Sequence, residues 1–151
     1  MYFTLVTLHV LFAGIWLTNI LVSLFVKLKN DGTELSNGMI SFYLKYTNLT
    51  GILGAMGILI TGVVITLMNP AFQFFQFTAN HWLTTKQIIM VAILAVIFAV
   101  LIPTAKALRL QLTRKDESVL KNVLEKINRT MWVINSLVII NILLALSRRF
   151  M

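Results

Sequence analysis

Cysteine is absent from the 151 residues, which excludes disulfides, thiolate metal centres and cysteine nucleophiles. Charge is scarce. Asp, Glu, Lys and Arg make up 12% of the chain, about half of what a soluble domain carries. Acids are scarcer still, five in all, and none falls inside a long apolar run. That argues against a carboxylate proton relay or a cation-coordinating transport site, which need acids within the membrane. There are no paired carboxylates, no phosphate-binding glycine loop and no histidine cluster. What is present is apolar: 58% hydrophobic residues, a mean hydropathy of +0.87, and a distribution in blocks rather than in two-sided alternation. This is the composition of a single-domain membrane protein. The pI near 10.2 does not point to nucleic acid, because the basic residues gather at the ends of the apolar blocks, where orientation in a bilayer explains them.

A hydrocarbon core of about 30 Å needs roughly 20 apolar helical residues. Four segments qualify: Tyr2–Val26, about Leu49–Met68, about Gln87–Ala107 and about Met131–Ser147. The first has no basic start, is too long for a cleaved signal and is followed by Lys27 and Lys29, so it reads as a retained helix. The fourth joins the amphipathic lead-in "ESVLKNVLEKINR", which predicts one long final helix extending beyond the membrane. Pro103 cannot donate a backbone hydrogen bond and crowds the carbonyl four residues earlier. A kink near Ala99–Pro103 is therefore expected, with the helix continuing toward Leu112, and Asp116 or Ser118 capping the next helix.

Ten of the thirteen basic residues lie in the connections after spans one and three, and all five acids lie there too. Cationic loops stay cytoplasmic. The expected topology is a four-helix transmembrane bundle with both termini outside and the final helix extending into the cytoplasm, in a bacterial inner membrane. The opposite loop, "NPAFQFFQFTANHWLTT", carries five aromatic residues and His81. It reads either as an aromatic belt lying on the outer leaflet or as a lid over a site that opens outward.

Few side chains could carry chemistry. Tyr2, His9, Trp16 and Ser23 recur every seven residues and share one helical stripe. A polar ring in lipid leaves its N–H and lone pair unmet, so this stripe faces the bundle or a cofactor, with His9 either bonded to a neighbouring helix or acting as a ligand. Lys86 opens span three in the same outer half. It either snorkels to headgroups or serves one site with His9. Met90, one turn below, either packs or ligates. In "TGILGAMGILITG" of span two, Gly51, Ala55 and Gly62 run along one side, and Gly54, Gly57 and Thr61 along another. Such residues allow close helix approach or leave a flat slot for a macrocycle. Asn135 and Asn141 are each expected to form an interhelical hydrogen bond.

The stretch "LHVLFAGIW" resembles the first-helix signature of the HemJ-type protoporphyrinogen oxidases and of related CopD-like membrane proteins. "WLTTK" resembles their entry to the third helix. The resemblance implies a four-helix bundle holding haem b or a porphyrin, with His9, Trp16, Trp82 and Lys86 at the matching positions and His9 as the metal ligand. Two departures stand out: Thr84 and Thr85 occupy the place of a histidine in the second motif, and Asn128-Arg129 lacks the acid-proline entry to the last helix. A porphyrin oxidoreductase is thus one expectation. A non-catalytic accessory subunit of a larger membrane complex, or a homo-oligomer, is a second. A copper-handling protein is a third, although the seven methionines form no cluster, as grouped soft Cu(I) ligands would.

Overall fold

The computed structural model describes residues 1–32, 36–114 and 117–147. These form helices α1 (Tyr2–Gly32), α2 (Asn37–Met68), α3 (Phe77–Val96), α4 (Ile102–Arg114) and α5 (Glu117–Ser147), with a π-helical turn, Ile97–Leu101, joining α3 to α4. Four stretches are long and apolar enough to cross a membrane: Tyr2–Leu28, Asn37–Met68, His81–Thr113 and Val119–Ser147. The protein is an all-α four-helix membrane bundle. Tyr2 of α1 and Ser147 of α5 share one end of it with the 69–76 loop; Gly32, Asn37, Arg114 and Glu117, where α1, α2, α4 and α5 end or begin, share the other, hereafter the loop end.

The helices outrun the apolar segments that identify them. At 1.5 Å per residue, the 32 residues of α2 reach about 48 Å, well beyond a hydrocarbon core of about 30 Å. α2 starts at Asn37, twelve residues before the expected Leu49, and Ser36 caps it by accepting the Met39 N–H at 3.4 Å. At its other end Pro70 disfavours helical backbone in the preceding residue, and Asn69 is extended. The distortion expected at Ala99–Pro103 takes the form of the π turn: the Ile102 N–H donates to the carbonyl of Ile97, one residue further back than in an α-helix. The helix then continues to Arg114. Asp116 and the side chain of Ser118 lie outside the described residues.

Packing is uneven along the bundle. At the loop end, Val26 of α1, Tyr43 and Leu44 of α2, Leu108 of α4, and Leu124 and Met131 of α5 close a four-helix core. Nearer mid-membrane, Trp16, Ile93, Ile134 and Val138 form a second cluster, joined by Ile58 and Ile89. α1 and α2 make the most extensive helix contact of the molecule, and α3 and α4 pack on α5. Toward the chain ends the bundle loosens: among the described residues no Cα of α3 comes within 8 Å of one in α1 or α2.

Candidate functional site

The antiparallel α1–α2 seam positions His9. The expected stripe of α1 does face inward: Trp16 and Ser23 are buried, and each inward side chain meets a small or polar residue of α2. A Cβ built on Gly54 would meet Trp16, one on Gly57 would overlap the Phe12 ring, and one on Gly62 would stand 3.3 Å from His9 Cε1. The glycines therefore act as sockets for α1 side chains. The flat slot they suggested is already filled. Polar pairs complete the seam: Thr50 donates to Asn19 Oδ1 at 2.7 Å, and Ser23 Oγ lies 3.5 Å from Tyr43 OH.

His9 Nδ1 lies 2.7 Å from Thr61 Oγ1. The Thr61 hydroxyl donates to the carbonyl of Gly57 at 2.5 Å, which uses its one proton. Thr61 Oγ1 then accepts from His9, so Nδ1 carries the ring proton and Nε2 keeps its lone pair. The Nδ1–Cε1 edge is the one that approaches Gly62.

Lys86 stands at the same end of the bundle, on α3. Its ammonium lies 5.9 Å from the centroid of the Trp82 ring, one turn back along α3. Trp82 in turn meets Phe72 edge-to-face at 5.9 Å. The 69–76 loop is tied to α3: Thr84, fully buried, donates to the carbonyl of Gln76 at 2.8 Å, and Gln87 Oε1 accepts the Phe75 N–H at 2.7 Å. Phe75 adopts a left-handed backbone, φ 53°, and Phe74, Phe75 and Phe77 are exposed. An aromatic belt pinned to the start of α3 describes this loop better than a lid over the bundle.

Lys86 and Trp82 thus pair on α3, at the same end of the bundle as His9 on α1. Trp16 does not join them; it lies two turns deeper, against Gly54. Met90 is half-buried one turn below Lys86. Thr61, which fixes the histidine tautomer, stood out in the sequence only as part of a small-residue stripe. Gln87, which holds the loop, did not stand out at all. Among the described residues no three His, Cys, Asp or Glu side chains group as a metal site. The interhelical bonds expected of Asn135 and Asn141 do not form at Oδ1, which is buried and unpaired in both.

No family model, curated protein or solved structure matches the chain. The reading of function therefore rests on the residues themselves.

Proposed function

We propose that this integral membrane protein holds haem b or a porphyrin in its outer half, with His9 toward the metal. The observation that carries the reading is the state of His9. A ligating histidine is oriented and made more basic by an acceptor on its other ring nitrogen, and Thr61 is that acceptor for Nδ1. Nε2 is the nitrogen left to bind iron. Lys86 supplies a nearby cation for the acidic edge of a macrocycle. The fit is partial, since Phe12 and Trp16 fill the α2 sockets; the cofactor belongs on the side of His9 away from Gly62. Bound haem would supply an iron centre for ligand binding or electron transfer. The chain's own part is to present one imidazole of fixed tautomer in an apolar setting. The placement of ten of the thirteen basic residues at the loop end supports a bacterial inner membrane with both termini outside.

The test is haem titration of the purified protein. A Soret band is expected. His9→Ala should abolish it without losing the protein from the membrane. Thr61→Val should weaken haem binding about tenfold, as loss of such an oriented partner does, and Thr61→Ser should restore it. Protein that stays colourless after haem supplementation overturns the proposal.

The filled sockets favour a second reading, a non-catalytic accessory subunit of a membrane complex or homo-oligomer. Large subunits that co-purify with a colourless protein would select it. A copper centre is not proposed, because Met131 sits in the loop-end core while Met56 and Met68 are exposed.

A further inference from the structure

Lys86 differs from the other cations. It is half-buried, whereas every other Lys and Arg whose side chain is described is exposed. Among the described residues no Asp or Glu side chain pairs with it: Glu125, the one acid whose side chain is described, lies beside Arg129 on α5. The Trp82 face offsets part of its desolvation but offers no lone pair in the ring plane for a hydrogen bond. The next residue carries a second unmet donor. Gln87 Oε1 is spent on the Phe75 N–H, which fixes the amide's orientation, and Nε2 is buried without a hydrogen-bond partner. A buried amide N–H requires an acceptor. Two consecutive residues of α3 therefore lack hydrogen-bond acceptors among the described residues. Beside Lys86 stands the Trp82 ring, with Phe72 edge-on to it.

We infer that Lys86 and Gln87 form a site for the oxyanion head of an amphiphile, a phosphate or carboxylate carried on an apolar body. Lys86 contributes the charge, and Gln87 a directed N–H. Trp82 and the pinned aromatic loop hold the site at the membrane interface. The head has two sources: an acidic phospholipid of the surrounding leaflet, or the carboxylates of a macrocycle at His9. The site itself does not depend on the haem reading.

Native mass spectrometry of the full chain in detergent, supplied with phosphatidylglycerol or phosphatidylcholine, tests the first source. Retention of one phosphatidylglycerol is expected, with a preference of about tenfold, the size expected for one charge-assisted hydrogen bond. Lys86→Gln should remove the preference and Lys86→Arg should keep it. Lys121→Gln, at the loop end, should leave it unchanged. If Lys86→Gln does not fold, Gln87→Glu decides: it keeps an acceptor for Phe75 and places a carboxylate where the anion would sit, so the preference should vanish. Titration with hemin against its dimethyl ester tests the second source. There the acid should bind about tenfold more tightly than the ester in the wild type and equally well in Lys86→Gln. No preference in either experiment, or a preference that survives both substitutions, overturns the inference.

Discussion

A glycine in α2 is best understood by the α1 side chain that occupies its missing Cβ. A Cβ on Gly57 has no room beside Phe12, whereas one on Gly51 meets nothing within 4 Å. Gly57→Ala should therefore cost about 1–3 kcal/mol by overpacking, while Gly51→Ala should be neutral or gain up to about 1 kcal/mol from helix propensity. Thermal unfolding in detergent, followed by size exclusion, measures both. Adding Phe12→Ala to Gly57→Ala should recover much of the loss if the clash is its cause. At this scale the sequence was readable where a residue is chemically conspicuous. His9, Trp16 and Lys86 stand out in apolar helices. Asn19, fully buried and paired with Thr50, does not, because a small polar residue in a membrane helix has no spacing signature. Its role appears only when the partner helix is in place.

Helix number and order follow from counting apolar residues; helix ends do not. The hydrocarbon core limits how many apolar residues are needed, but a helix that enters the interface still satisfies its own backbone and can run on. This is why α2 begins at Asn37 and carries Lys45 on a helix rather than in a loop. Pro103 was a reliable marker of distortion because its missing N–H acts locally. The attachment of the 69–76 loop was not readable, since the Phe75–Gln87 bond spans twelve residues with no motif between them. That attachment makes a prediction. Thr84→Val removes the hydroxyl that holds the Gln76 carbonyl while keeping the side chain's shape. Limited proteolysis within 69–76 should accelerate, with the α1–α2 hairpin unaffected. Unchanged cleavage would mean that Gln87 alone holds the loop.

Across the whole molecule, the loop end is packed like a soluble bundle and the opposite end is held together pairwise. Lipid supplies no hydrophobic drive between helices, so core substitutions act mainly through the cavity they leave. Leu108, fully buried, should lose on the order of 2 kcal/mol when changed to Ala. Val91, more than half exposed on α3, should lose almost nothing. Topology is a second whole-molecule property. With the loop end cytoplasmic, a cysteine at Gly38 should be shielded from an impermeant thiol reagent in intact cells, and one at Gln76 should label. Labelling at Gly38 instead would invert the orientation, and with it the side from which the Lys86 site is reached.

The α1–α2 seam also bears on how the chain is made. Its partners are consecutive helices, so the largest contact in the protein needs no part of α3, α4 or α5 and closes at little loop-closure cost. The hairpin is thus one assembly unit, and α3, α4 and α5 form a second that packs mainly on α5. A break between Asn69 and Gln76 falls between these two units. Coexpressed as fragments 1–72 and 73–151, the halves should find each other in the bilayer and co-purify, whereas a break inside α2 should leave neither half able to assemble.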